Sequence, residues 1–488
     1  MTEKRGLAMG VLIFASFMDL LDATIVNVAL PSIQDDLHAS GAQLEWIVGG
    51  YLLAFAVLMI TGGRLGDIVG RRRMFVIGVV GFTAGSLLAC LAPTIGVLLV
   101  ARVLQGGFAA MMVPQMLSSL QALYAPRERA AMLGVVGAVS GLSAVIGPVL
   151  GGWLVSSDAF GIGWRSIFLI NLPVGVVLVA LALRWVPDTR SEHPLRLDPL
   201  GLALATTGLL GVVFALIEGR QQDWAPWIWA VGASGLAVLA AFVVQQVRRE
   251  RTTGSALLPM RLFSDRGFSA GLVTQGAFQG SLAGFALVLT VYVQTGLGWS
   301  AIHAGMTLLP FSLGAFVGTA ISVPLGMKLG KVVMAVGAGL QSASTVWVLT
   351  TVHGQADGLS TGDLVPALVV AGIGLGMLVV PLVDVALATV PTSEAGAASG
   401  TYGTVQQVGA ALGVAVIGTV FFGVVGTSYD AAALRSALVA ACWVSAAGYA
   451  LSAIASLLLP SRAQVHAHQE AVERELAAAE NENEPVPA

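Results

Sequence analysis

The sequence predicts an all-α membrane protein of fourteen transmembrane helices, two six-helix bundles with a two-helix insert, and both termini cytoplasmic. Three observations carry this prediction. Of 488 residues, 56% are hydrophobic and only 10% charged, against roughly 25% charged in soluble domains, and the mean hydropathy is +0.85. The apolar residues gather into runs of about 20, the length that crosses a bilayer core. Basic residues then fall on alternate loops, as the positive-inside rule requires. A net charge of −3 gives no argument for a nucleic-acid partner. The two cysteines, Cys90 and Cys442, sit in apolar runs far apart, which argues against a disulfide framework or a thiolate metal site.

The first run, 7–30, follows Lys4 and Arg5 as a signal peptide would. It is too long for such a segment, contains Asp19 and Asp22, and lacks a small-residue cleavage site, so it reads as a retained helix. The next five spans are expected at 44–63, 74–92, 95–118, 130–155 and 165–186, completing a bundle over residues 1–186. A charged, proline-containing segment and two inserted helices, 199–219 and 227–247, occupy 187–250. A second bundle over 251–460 holds spans at 267–296, 302–326, 331–352, 364–388, 396–425 and 435–460, and 461–488 is an acidic cytoplasmic tail. With the N-terminus inside, only Arg165, Arg220 and Arg435 among the basic residues face outward, and Arg102 alone lies within a span. The abundant glycine, 60 residues, fits helices packing closely through small residues.

An internal repeat ties the two bundles together. Gly63-Arg-Leu-Gly-Asp-Ile-Val-Gly-Arg71 follows helix 2, and Val323-Pro-Leu-Gly-Met-Lys-Leu-Gly-Lys331 follows helix 10. Leu65, Gly66, Gly70 and Arg71 match Leu325, Gly326, Gly330 and Lys331, whereas Asp67 is replaced by Met327. Parallel six-helix repeats around a midplane site are a transporter architecture.

Several motifs occur in a fixed order: LDATIVNVALP (21–31), GRLGDIVGRRRM (63–74), ARVLQGGFAA (101–110), GLSAVIGPVLGG (141–152) and WRSIFLINLPVG (164–175). With these the chain resembles the major facilitator superfamily, and within it the fourteen-helix drug:proton antiporters, over roughly residues 7–460. The resemblance implies a cytoplasmic gating motif at Gly63, Leu65, Asp67, Gly70, Arg71 and Arg72. It also implies a buried-arginine motif at Arg102, Gln105 and Gly106, an antiporter hinge at Gly147-Pro148, and Asp22 as a coupling acid.

Intramembrane charges are functional by default, because a charge at a helix centre costs about 2.5–3.5 kcal/mol on insertion scales. At about 1.5 Å per residue, Asp22 on helix 1 and Arg102 on helix 4 both lie about 12 Å below the outer face, so the two can meet. An acid beside an arginine can exchange that partner for a proton or a cationic cargo. Asp19 lies one turn below Asp22 on the same face, either holding a proton between the pair or simply wetting a cavity. Asp384 falls near the cytoplasmic end of helix 12, a place for a gate or for plain interfacial solvation rather than for coupling. Asp67 among Arg71, Arg72 and Arg73 can latch the cytoplasmic side. Trp46, Tyr51, Gln105, Gln115, Gln279 and Tyr402, with Asp22, are candidates to line a substrate cavity. The second bundle carries few charges, which favours monocationic or neutral lipophilic cargo.

These readings together point to a secondary transporter of the bacterial inner (plasma) membrane that exports lipophilic, often cationic compounds against protons. No cofactor is expected beyond the proton gradient; the partners are small substrate, protons and the lipid bilayer, and a monomer suffices. Two alternatives stay open: an exporter dedicated to one endogenous metabolite, and a proton symporter importing a nutrient. No phosphate-binding loop and no nucleophile or metal constellation supports an ATPase or an enzyme.

Overall fold

The computed structural model describes residues 2–124, 126–158, 161–190, 196–254, 256–355, 358–387, 390, 395–426 and 430–460. The acidic tail expected at 461–488 lies outside them. Within them the regular structure is entirely helical, as it must be where no water can satisfy backbone polar groups.

The first bundle comprises α1 (Thr2–Leu37), α2 (Gly41–Val69), α3 (Arg71–Cys90), α4 (Ile95–Leu123), α5 (Pro126–Ser156) and α6 (Asn171–Trp185). A 3-10 turn (Gly163–Arg165) and a short helical turn (Ser166–Leu169) lead into α6. The inserted pair is α7 (Pro199–Gly219) and α8 (Pro226–Thr253). The second bundle comprises α9 (Arg266–Val291), α10 (Leu309–Leu329), α11 (Lys331–Gly354), α12 (Thr361–Leu387), α13 (Ala395–Val425) and α14 (Ala431–Ser456). A π-helical turn (Tyr292–Gly296) extends α9, and a short helix (Ala301–Thr307) precedes α10. Among the described residues, thirteen of these segments are long and apolar enough to cross a membrane, and α5 contributes the shorter apolar stretch Ile146–Ser156.

The helices overrun the expected spans, and the overruns are polar. The α1 helix continues through Pro31 to Leu37, because one proline removes only one backbone donor. The loop expected at 248–266 is partly helix: Arg248 to Arg251 are good helix formers and carry α8 to Thr253. There Gly254, at φ +64°, ends the helix in the left-handed region that glycine tolerates. Other ends are capped by short polar side chains in aqueous loops. Ser40 and Gln43 form a capping box on α2, and Asp198, Asp265 and Asp430 each accept a first-turn N–H.

In the first bundle α4 packs on α2 and α3, and α1 packs on α4, α5 and α6. In the second, α12 packs on α10 and α11, and α14 on α9, α11 and α13. The bundles meet along α2 and α13, and where α5 meets the short helix before α10. The outer ends are closed. A methyl built on Gly152 would fall 2.6 Å from the Ala301 carbonyl oxygen, the Ile302 N–H donates to Ser156 Oγ at 3.0 Å, and Gln294 donates to the Val28 carbonyl at 2.9 Å.

The inserted helices pack on one another, and α7 reaches both α2 and α13. At the outer end Gln221 donates to Ser40 Oγ at 2.7 Å, and Thr419 of α13 donates to the Leu216 carbonyl at 2.7 Å. At the cytoplasmic end Arg64 of α2 donates to the carbonyls of Arg196 at 2.9 Å and of Ala256, gathering both linkers. Asp198 is buried there, accepting from the Gly201 N–H (2.9 Å) and from Gln246 (2.7 Å), with Arg249 at 3.5 Å.

Candidate functional site

Four helices of the first bundle bring a ring of polar side chains to one buried point. Asp22 comes from α1, Ser86 from α3, Arg102 and Gln105 from α4, and Asn171 from the start of α6; all are buried. The Arg102 guanidinium Nη1 donates to Asp22 Oδ2 at 2.6 Å, and the amide of Asn171 donates to Asp22 Oδ1 at 2.7 Å. Gln105 Nε2 reaches Asp22 Oδ1 at 3.3 Å and Ser86 Oγ at 2.7 Å, while its Oε1 accepts from Arg102 at 3.0 Å. Ser86 Oγ accepts from Asn171 as well, at 3.1 Å. The two ends of helix 4's Arg-x-x-Gln spacing thus lie on the same face, three residues apart, and both face the acid.

Arg102 makes further contacts beyond the acid. Nε donates to the Ile47 carbonyl of α2 at 3.2 Å, and the guanidinium carbon lies 4.3 Å from the centre of the Tyr51 ring, a cation–π distance. The Tyr51 hydroxyl donates to Asp19 Oδ1. One ring therefore links Asp19 to the Arg102–Asp22 pair. Gly106 permits this assembly: a methyl there would press on the Tyr51 backbone, 2.9 Å from its carbonyl carbon. Buried ionisable groups need matched charge and hydrogen bonds, and Asp22 has three donor side chains around it, from Arg102, Gln105 and Asn171.

The other expected site residues are distributed elsewhere. Tyr402 of α13 is buried and donates to Gln275 Oε1 of α9 at 2.8 Å, and Gln279, one turn further along α9, is half-buried. The structure does not bring Trp46 or Gln115 to either place. Trp46 turns to the inserted helix and donates to Glu218 at 2.9 Å, because α7 covers the outer end of α2. Gln115 is pinned between α4 and α2, donating to the carbonyls of Gly62 (2.9 Å) and Met111 (3.0 Å). Asp384 is exposed near the cytoplasmic end of α12.

Asp67, in the last turn of α2, pairs with Arg71 at the start of α3 at 2.9 Å. The α2–α3 junction is fastened to the 6–7 linker: the Arg71 N–H donates to the Thr189 carbonyl at 2.9 Å, and Arg73 lies 3.4 Å from Asp188. Gly70, at φ +120°, makes the turn between α2 and α3, and a methyl built on Gly63 would find ordinary contact with Pro114 at 3.6 Å. Arg72 is half-exposed. Gly147 and Pro148 lie on the buried side of α5. A methyl on Gly147 would strike Thr24 of α1 and come 3.5 Å from the Leu21 carbonyl, and the Pro148 backbone faces Gly305.

Ser86 and Glu45 escaped sequence reasoning. Ser86 is a small hydroxyl in an apolar run and gives no signal alone. Glu45 lies at a predicted helix end, where charge is unremarkable.

A family model described as Major Facilitator Superfamily matches residues 12–414. The "Probable actinorhodin transporter" of Streptomyces coelicolor is 42% identical over 446 residues, 91% of this chain and 77% of that protein. The "Puromycin resistance protein pur8" of Streptomyces alboniger is 36% identical over 423 residues, 86% of this chain and 82% of that protein. A crystal structure of the peptide transporter POT in complex with sulfate superposes with a TM-score of 0.66 at 16% identity, covering 93% of this chain and 96% of that one; at that identity the likeness is one of fold.

Proposed function

The chain belongs to the Major Facilitator Superfamily, and from that premise we propose that it is a proton-coupled exporter of lipophilic, often cationic compounds in the bacterial inner membrane. Residues 1–186 and 251–460 act as the two moving bundles, with the insert between them. The observation that carries this reading is the buried Asp22–Arg102 pair, ringed by Gln105, Ser86 and Asn171. The names of relatives concerned with antibiotic resistance and antibiotic transport support the choice of cargo.

In this mechanism both Asp22 oxygens are occupied by donors, so a proton binds Asp22 only when Arg102 withdraws. The withdrawing guanidinium keeps Gln105 Oε1 and the Ile47 carbonyl as acceptors and slides on the Tyr51 ring. Moving that ring disturbs the Tyr51–Asp19 hydrogen bond, which couples the second acid to the first. Protonation of Asp22 thus repacks α1 against α2 and α4, the kind of bistable contact that alternating access uses. Cargo would touch Tyr402, Gln275 and Gln279 across from this cluster. Gly147 and Pro148 would serve as the hinge of α5. Asp67, with Gly63, Gly70, Arg71 and Arg72, would form the inner latch, and Asp384 would stand at the inner mouth.

Inverted membrane vesicles with an acid interior test direction and cargo together. An exporter of this kind accumulates ethidium inside the vesicles, and nigericin abolishes the accumulation. A proton symporter would instead move its solute outward. A carrier dedicated to one metabolite would leave a panel of lipophilic cations untouched, and either result would overturn the multidrug reading.

A further inference from the structure

Glu45 takes no part in the cluster above, yet it is fully buried and neither carboxylate oxygen has a hydrogen-bond partner. It lies in the outer part of α2, where α2, α7 and α13 meet. A methyl built on Gly418 of α13 would come within 2.6 Å of Glu45 Cδ, so the carboxyl fills the space that a side chain on α13 would occupy. On the third side, Trp46 is tied to Glu218 and Thr419 to the Leu216 carbonyl, which holds α7 over the group.

The charged groups facing Glu45 are Glu218 of α7 and Arg220, the residue that follows α7. The α13 helix brings none, having no Asp, Glu, Lys, Arg or His from Ala395 to Val425. Arg220 Nη2 lies 3.1 Å from a methyl built on Gly41, four residues before Glu45 and therefore one turn outward on the same face. Its guanidinium is turned to the Phe422 ring, 5.3 Å away. An ionised carboxylate without donors does not persist in such surroundings, whereas a neutral acid does. A counter-charge stands one helical turn away, toward the outer water.

We propose that Glu45 is a second proton-binding site, facing the outer compartment: the α2–α13 seam closes over the neutral acid, and when it opens outward Glu45 releases its proton to the outer water and pairs with Arg220. The proton leaves to the side from which it came, so the site gates the outer opening without adding to the protons carried. This rests on alternating access as proposed above, but not on Asp22 being the coupling acid.

The test is a distance measurement between spin labels at Asp35→Cys on α1 and Thr295→Cys beyond α9, both exposed, with Cys90 and Cys442 replaced by alanine. In proteoliposomes the outer distance should lengthen as pH rises. Glu45→Gln should hold it short across the whole range, and Glu45→Asp should restore the response. Arg220→Gln should move the midpoint about one unit upward, because the ionised acid loses its partner. A Glu45→Gln protein that opens with the wild-type midpoint and amplitude overturns the proposal. Should that variant not be isolated folded, an unchanged midpoint in Arg220→Gln does so alone. Repeating the series in Asp22→Asn separates the two sites: coupling lost with the distance response intact leaves Glu45 as an independent site, and a response lost in Asp22→Asn assigns it to the central cluster and overturns the Glu45 proposal.

Discussion

The two six-helix bundles share a plan but differ in what they bury. At the heart of the first, Asp19, Asp22 and Arg102 lie among neutral donors, each within 4% of full burial. Among the described residues, the buried polar groups of the second are uncharged: they include Gln275 with Tyr402 at 2.8 Å, Gln341 with an unpartnered amide nitrogen, and Ser445, which donates to its own helix. The repeat after helix 2 carries the same asymmetry, with Asp67 in one copy and Met327 in the other. The two bundles repeat the helical plan, and among their described residues the buried charges lie in the first. A bundle with a buried ion pair changes its packing when a proton arrives, whereas a bundle of neutral hydrogen bonds has no comparable response. On the proposed function, that contrast gives the proton to the first half and leaves the second to recognise cargo.

The comparison is broken most sharply at Arg102. Arg102→Ala strands Asp22 as a buried charge and should cost about 3–5 kcal/mol, read as thermal unfolding in detergent; Gln275→Ala should cost about 1 kcal/mol. Equal losses would remove the distinction between the halves. Next in size is the seam. Gly152→Val pushes a side chain against the Ala301 backbone, so outer closure and transport should fall at least tenfold while ethidium binding survives. Tyr402→Phe removes one hydrogen bond, about 1 kcal/mol, and should raise KM about fivefold with the proton-to-substrate ratio unchanged. A changed ratio would bring the second half into the proton chemistry.

The smallest effect is expected outside both halves. Asp198→Ala deletes the N-cap of α7 at a cost of about 1 kcal/mol or less. Burial opposes the charge of Asp198, but the Gly201 N–H, Gln246, Gln245 and Arg249 overcome it and hold its carboxyl below the ordinary range. A carboxylate lowered in this way stabilises the fold above its unfolded value, and that stability is lost as pH falls through the folded one. Unfolding curves of wild type and Asp198→Ala should therefore converge only in acid.

Helix number and the meeting of Asp22 with Arg102 were legible in the sequence for one reason: charge is scarce in apolar runs, so each exception stands out and its depth follows from counting. Neutral partners carry no such contrast, and Ser86 becomes a hub only because α3, α4 and α6 converge on it. Glu45 was hidden differently. With helix 2 expected to start at residue 44, an acid at 45 reads as interfacial. In the fold α2 begins at Gly41, and α7 and α13 cover its outer end, so an apparently exposed position becomes buried. Trp46 was misplaced by the same cover. Where the inserted pair docks is a long-range contact, and no local pattern encodes it.

The assignment of the proton to the first bundle rests on Asp22, and reconstituted Asp22→Asn is its most direct test. Asparagine keeps the size of the side chain and removes its charge, so the protein should fold and bind ethidium. It should exchange ethidium down its own gradient at a rate within a few-fold of wild type, but fail to drive it uphill or move protons when a pH gradient is imposed. Uphill transport with substrate-dependent proton flux in Asp22→Asn would contradict the assignment and return the coupling acid to Asp19 or to the second bundle.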